Sequence, residues 1–153
     1  MIVFDVNVFV YAIDRTSEHH EEARRVLEAA LGGAETVAVL ESTLVSTARI
    51  VTHRRLMSHP LRPEEALEFC AAVRGAPAAL PAPSMAATWG LFHDLVLRLG
   101  VRGSELSDVW LAAQAQALGA RFTTYDRGFR RFADLDVTIL GEPSTKAPLG
   151  SDT

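Results

Sequence analysis

The first dozen residues constrain this chain most. Ile2-Val3-Phe4 is an unbroken apolar run of strand character, Asp5 ends it, and Val6-Asn7-Val8-Phe9-Val10-Tyr11-Ala12 returns at once to apolar residues around one amide. A strand with no polar alternation is buried on both faces, as in the core of a parallel sheet covered by helices. Ligands of such sheets gather beyond the carboxyl ends of the strands. Asp5 is therefore expected at the rim where chemistry collects, and the remaining chain decides whether other acids reach the same rim.

Strands and helices alternate along the rest of the sequence. Asn7 to Ile13 reads as a short helix. Residues 17–31 read as an amphipathic helix with Ala23, Val26, Leu27, Ala30 and Leu31 on one face, closed by Gly32-Gly33. Thr36 to Leu40 is a β-branched strand, Glu41 follows it, and residues 42–52 read as a helix through Leu44, Ala48 and Val51. Pro63-Glu64-Glu65 is a sound start for a helix that runs to Arg74. A short strand at Ala79-Leu80 follows among prolines. Ser84 is the expected cap of a helix that buries Met85, Thr88, Trp89, Phe92, Leu95, Val96 and Leu99, and Gly100 closes it. Ser107-Asp108 opens an Ala-rich helix carrying Leu111, Ala112, Ala115 and Leu118, whose small side chains suit close approach to a sheet. Arg121 to Thr124 and Val137 to Leu140 are the last strands, separated by a turn at Tyr125-Asp126-Arg127-Gly128 and one helical turn at Phe129 to Phe132. The predicted class is α/β with a mainly parallel central sheet of four to five strands, in one domain over residues 1–141. The Pro/Ser/Gly-rich composition predicts a disordered tail over 142–153.

Composition narrows the function. The 153 residues suffice for one sizeable core, and no apolar run is long enough to span a membrane. The N-terminus has no basic region ahead of its apolar start, so it does not read as a signal peptide. A single cysteine, Cys70, excludes an internal disulfide and fits a reducing compartment, so the expected location is cytoplasmic. The net charge of −4 argues against a generally sticky nucleic-acid binder. Yet 14 of the 15 basic residues are arginine, which suits bidentate phosphate binding. The five histidines show no metal-ligand spacing.

Four carboxylates stand where strands end or helices begin: Asp5, Glu41, Asp108 and Asp126. Each alone also fits a bland role, as a helix cap, a first-turn acid or a turn residue. Together, in a parallel sheet, they collect at the carboxyl edge and repel one another unless a cation relieves them. Hard oxygen ligands with few His or Cys nearby suit Mg²⁺ or Mn²⁺, and such ions serve phosphoryl chemistry.

These residues carry a resemblance. The Asp5-Val6-Asn7 opening resembles that of PIN-domain nucleases, Ser107-Asp108-Val109-Trp110-Leu111-Ala112-Ala113 resembles their second acidic block, and Thr123-Thr124-Tyr125-Asp126-Arg127-Gly128-Phe129 resembles their third. Order and spacing are similar over roughly residues 1–141, and the layout is most similar to VapC-type toxins of bacterial toxin–antitoxin pairs. The resemblance implies a three-layer α/β/α fold and a Mg²⁺- or Mn²⁺-dependent endoribonuclease that cleaves RNA, is held inactive by a VapB-type antitoxin and commonly pairs as a homodimer. It implies Asp5, Asp108 and Asp126 as the metal-holding acids, Thr124 as the hydroxyl preceding the last acid, and Asn7 as the amide supporting the first. One departure stands out: many relatives carry a glutamate about where Ser46 stands, and the nearest acid here is Glu41, which is expected to substitute for it.

Arg102, Arg127 and Arg130 flank the acids and are the candidate RNA-backbone contacts. Trp110 is either a base-stacking or a core or interface residue, Trp89 and His93 are spaced to pack together, and Val8, Phe9 and Tyr11 are apolar enough to serve an interface. Two other readings compete. A haloacid-dehalogenase-type phosphatase also begins with an acid after its first strand, but Asn7 stands where its second acid belongs and no lysine lies between residues 1 and 145. A non-catalytic RNA- or antitoxin-binding module with a degenerate metal site draws its support from Ser46.

Overall fold

The computed structural model describes residues 1–142. The tail expected over 142–153 lies, apart from Glu142, outside the described residues. Five strands, β1 (Ile2–Phe4), β2 (Val37–Val39), β3 (Ala79–Pro81), β4 (Arg121–Thr124) and β5 (Val137–Ile139), form one sheet in the order β3-β2-β1-β4-β5, and every pairing is parallel. The helices are α1 (Val6–Ile13), α2 (His20–Leu31), α3 (Glu41–Val51), α4 (Pro63–Arg74), α5 (Thr88–Leu99) and α6 (Glu105–Ala117), with a 3₁₀ turn at Arg127–Arg131.

The side-chain alternation of a strand sorts the core into two layers. Ile2 and Phe4 of β1 point to one face with Val37 and Val39 of β2, where Val8, Phe9, Leu27, Leu44, Cys70 and Val73 from α1 to α4 cover them. Val3 and Phe122 point to the other face, covered by Leu95 of α5 and by Val109, Leu111 and the alanines of α6. With helices on both faces, β1 has no solvated side. That is why its three residues are all apolar and all buried.

Sheet order positions the site. The chain moves outward from β1 to β2 and β3, then returns to β4 on the far side of β1 and continues to β5. The order therefore reverses between β1 and β4, and a crevice opens beyond the carboxyl ends of these two strands. Asp5 follows β1 directly, and the register pairs Phe4 with Thr123, so Thr124 stands beside Asp5 at this rim. Helix α6 can lie close to the sheet because Ala112, Ala113 and Ala115 have no exposed surface.

Several expectations need correction. Helix α4 starts where its proline and acids indicate, with the Glu65 carboxylate accepting from the Arg62 backbone N–H and from its guanidinium. Helix α5 instead starts at Thr88, and Ala87 rather than Ser84 precedes it, without a side-chain cap. Of its expected buried stripe, Met85 and Trp89 are exposed, whereas Thr88 and Leu95 are buried and Phe92, Val96 and Leu99 pack half-buried against the core. Trp89 packs not on His93 but on Phe92 and Trp110. Helix α6 begins three residues before Asp108, which places Asp108 in its first turn. Val8 and Phe9, expected as interface residues, are consumed by the chain's own core, and Tyr11 is half-buried against His19 and Tyr125. No helix among the described residues is long and apolar enough to cross a membrane.

The close approach of α6 gives a stability prediction. Ala112→Leu forces added volume against the sheet and is expected to destabilise the fold by about 1–3 kcal/mol. The check is a lower urea midpoint with an unchanged slope.

Candidate active site

Asp5 is the N-cap of α1. Its Oδ1 accepts from the Val6 backbone N–H at 2.7 Å. Its Oδ2 accepts from the Thr124 hydroxyl at 2.6 Å and from the Asn7 amide at 3.0 Å. The same Asn7 Nδ2 donates to Thr124 Oγ1 at 3.0 Å, while Asn7 Oδ1 accepts from the Tyr125 N–H at 3.2 Å. Thr124 Oγ1 also accepts from the Asp126 N–H at 2.9 Å. One hydroxyl and one amide thus tie the end of β1, the start of α1 and the end of β4 into a single closed network. Asp126 is folded back, its Oδ1 accepting from the Gly128 N–H at 2.7 Å. A side chain at position 128 would meet that oxygen at 2.9 Å, so only glycine leaves the carboxylate where it is.

Asp5 and Asp108 line one cavity of about 470 Å³, together with Ser42, Ser46 and Arg49 of α3 and Phe92 and Trp110 of α5 and α6. Burial pushes the Asp5 carboxyl up to about 6; the Thr124 and Val6 hydrogen bonds pull it down, and the nearby charges of Asp108 and Asp126 push it further up. Asp108 is also raised, by burial first and then by Asp126, against the opposing guanidinium of Arg131. The charges of Asp108 and Asp126 are felt at Asp5, and that of Asp126 at Asp108, so the three acids share a rim, as the order of strands and helices led one to expect.

Among the described residues no three His, Cys, Asp or Glu side chains stand close enough to cage a cation. Two carboxylates on one water-accessible cavity are nonetheless how Mg²⁺ is usually held, with waters and substrate phosphate completing the shell. Asp5 and Asp108 supply that pair, and Asp126 is near enough for its charge to be felt by both.

Glu41 does not join them. It sits at the first position of α3, 70% exposed, and pairs with Arg74 of α4 at 3.3 Å. The first residue of α3 thus pairs toward α4 and does not line the cavity of Asp5 and Asp108, where it was expected to replace the acid missing at Ser46. Ser46 itself, one turn further along, does line the cavity. Arg127 and Arg130 both reach Glu142 Oε1, at 3.3 and 2.6 Å, so part of their charge is already neutralised. Arg102 is exposed in the loop before α6.

Sequence reasoning passed over two cations. Arg131 reaches Glu105 at 2.8 Å and Asp108 at 3.6 Å and lies over the Phe132 ring. Arg49 lines the cavity, and its signal was helical spacing: Ser42, Ser46 and Arg49, four and three residues apart, share one face of α3.

Comparison with known proteins agrees with this geometry. The family model described as PIN domain matches residues 2–135. Ribonuclease VapC43 of Mycobacterium tuberculosis is 33% identical over 135 residues, which cover 88% of this chain and 92% of the relative. Ribonuclease VapC37 of the same organism is 32% identical over 132 residues, covering 86% and 92%. Among solved structures, VapBC2 from Rickettsia felis superposes with a TM-score of 0.65 at 18% identity, over 91% of this chain and 98% of that one. M. tuberculosis VapC20, described as a sarcin-ricin loop cleaving toxin, gives 0.65 at 18% over 90% and 98%. The three-layer parallel fold with acids at its switch point is that of an α/β nuclease. The chain belongs to the PIN-domain family and, within it, to the VapC ribonucleases, the toxins of toxin–antitoxin systems.

The raised Asp5 pKa sets a pH dependence for the metal-free protein. Between about pH 4 and pH 6 the native state binds the extra proton, so stability falls as pH rises through this window. Asp5→Asn removes the ionisation. The stability of that variant relative to the parent is expected to increase from about pH 4 to pH 6 and then level off. Urea unfolding of both proteins across this range, in EDTA, provides the check; a difference that does not change with pH would contradict the burial argument.

Proposed function

We propose that this chain is a Mg²⁺- or Mn²⁺-dependent endoribonuclease whose metal is held directly by Asp5 and Asp108, with Asp126 reaching it through water. The observation that carries the reading is the shared cavity of Asp5 and Asp108 at the switch point of the sheet, with Asp126 coupled to both. The chemistry a bound Mg²⁺ or Mn²⁺ supplies is polarisation of the phosphate and a more acidic attacking water.

The residues divide the remaining work. Asp5 is held in one orientation by three hydrogen bonds, so it presents its remaining lone pairs to the cavity without reorganising. Thr124 and Asn7 are positioning residues that act through Asp5 and the backbone of Asp126. Asp108, less buried and on a different element, faces the same space. Arg131 reduces the repulsion between Asp108 and Asp126 while no cation is bound. Arg102, Arg127 and Arg130 are proposed to touch the RNA backbone, the last two after exchanging Glu142 for phosphate.

The partner reading follows the family. VapBC2 and the toxin–antitoxin complex from Klebsiella pneumoniae are solved as such assemblies. By that likeness we take a VapB-type antitoxin to neutralise this chain, acting in the cytoplasm. The homodimer would be built on apolar surface outside its own core, such as Val45, Leu67 and Leu97.

Three predictions test the assignment. Asp108→Asn is expected to retain the fold and to lose cleavage of a structured-RNA pool in Mg²⁺ or Mn²⁺, as the parent does in EDTA. In calorimetry, Ser46→Glu is expected to tighten Mn²⁺ binding and Glu41→Ala to leave it at the parent value; a collapse of binding on Glu41→Ala would return Glu41 to the site. The third concerns the footprint: Arg127→Ala should weaken RNA binding uniformly across sequences and reduce the slope of log affinity against log salt by about 1. An unchanged slope removes Arg127 from the contact.

A further inference from the structure

The cavity that holds Asp5 and Asp108 has a second character besides its acidity. Its α5–α6 wall is aromatic. Phe92 and Trp110 both line it and meet edge to face, with ring centroids 5.4 Å apart and planes at 81°. Trp89 leans on both, at 5.5 and 6.4 Å, and is 66% exposed, so the aromatic surface continues from the cavity to the outside of the molecule. A tryptophan left this open gives up much of the burial its ring normally contributes. The opposite wall, α3, presents Ser42, Ser46 and Arg49. Among the described residues Arg49 is the one cation lining the cavity, and it forms no ion pair there.

We propose that the face formed by Trp110, Phe92 and Arg49 is a nucleotide subsite: the aromatic wall stacks one unpaired base of an RNA strand, and Arg49 holds a phosphate next to the one presented to Asp5 and Asp108. This deepens the ribonuclease reading and rests on it. The chemistry of the walls selects the occupant. An aromatic face accepts the π-face of any base, a guanidinium matches phosphate oxygens, and the two serine hydroxyls can bond a sugar or a base edge. An apolar peptide segment would leave Arg49 and both serines facing greasy surface, at the cost of burying them unpaired. The cavity, about 470 Å³, lies in the range that takes one small ligand. Paired RNA keeps its bases stacked inside the helix, whereas an unpaired base can be splayed onto such a wall. The subsite also answers an electrostatic difficulty. Two carboxylates repel an incoming phosphate strand, and a cation on the opposite wall gives the strand a point of attachment that does not compete for the acids.

The test uses the full chain in EDTA, where no metal supports cleavage. Trp89 and Trp110 are the only tryptophans, so fluorescence excited selectively at tryptophan, beyond tyrosine absorption, reports this face alone. A short single-stranded oligoadenylate is expected to quench it, and a blunt RNA duplex of equal length is not. Anisotropy of the same strand, end-labelled, is expected to show affinity lowered roughly 5- to 150-fold by Arg49→Gln and by Trp89→Ala. Both sites are exposed, so urea midpoints should stay at the parent value; Trp110→Phe provides a fold-preserving variant at the wall itself. Equal quenching by duplex and single strand, or parent affinity in both variants, overturns the subsite. So does a lowered sedimentation coefficient of Trp89→Ala with RNA affinity unchanged, which would give the face to a second copy of the chain. The two readings fail separately. If the parent cuts no RNA in Mn²⁺ yet the single strand quenches and the variants weaken it, cleavage falls and the subsite stands. If the parent cuts RNA and both variants cut with unchanged KM, the subsite falls and cleavage stands.

Discussion

The hydroxyl of Thr124 has one proton and gives it to Asp5, and it receives the backbone N–H of Asp126 and the amide of Asn7. Because that hydroxyl is fully buried, each of these bonds forms away from competing water. The arrangement fixes where the first acid stands, where the last acid's backbone runs, and how the start of α1 meets the end of β4. It also depends on register. Thr124 stands beside Asp5 only because β4 pairs with β1 as Phe4 to Thr123, and a slip of one residue would turn Thr124 to the other face of the sheet. The fold is thus organised so that a sheet register, set by apolar packing on both faces, delivers a hydroxyl to a carboxylate.

Charge is what this packing must tolerate. Asp5 is held in a buried position where ionisation is costly, and Asp108 and Asp126 add to that cost. The hydrogen bonds from Thr124 and Val6 offset part of it. Arg131 offsets another part at Asp108, anchored on its far side by Glu105 and by the face of Phe132. The site is therefore built with fewer positive than negative charges at its centre, which leaves room for an added cation rather than completing the balance with side chains.

Much of this was legible in the sequence, and the part that was not has a common cause. The Ile2-Val3-Phe4 run, Asp5, Asn7, Thr124 and Asp126 could be placed because strand ends are fixed by short apolar runs, and a residue just past a strand has few places to go. Helix starts were less certain. Asp108 was expected to open α6 and lies in its first turn, because Glu105 and Leu106 extend the helix without a capping side chain. Glu41 was misplaced for a related reason. At the head of a helix a rotation of one residue is about 100°, enough to turn a side chain from the rim toward Arg74. The exposure of Trp89 was illegible for a different reason: periodicity marks a helix as amphipathic but does not say how wide its covered stripe is, and α6 covers only part of α5.

The same width decides what the cavity can be. Had α6 been built with large residues along its sheet-facing side, it would have stood further off, and Trp110 would not approach both Phe92 and the acids. The alanines at 112, 113 and 115 let α6 settle on the sheet. That brings its first turn, with Asp108, to the crevice beside Asp5 and draws Trp110 into the same wall. Small residues on one side of α6 thus serve the chemistry on the other: they set the distance at which an acid, an aromatic wall and the arginine of α3 face one another. Packing at the alanines and geometry at the acids are two ends of one rigid helix, so a change at the first is felt at the second.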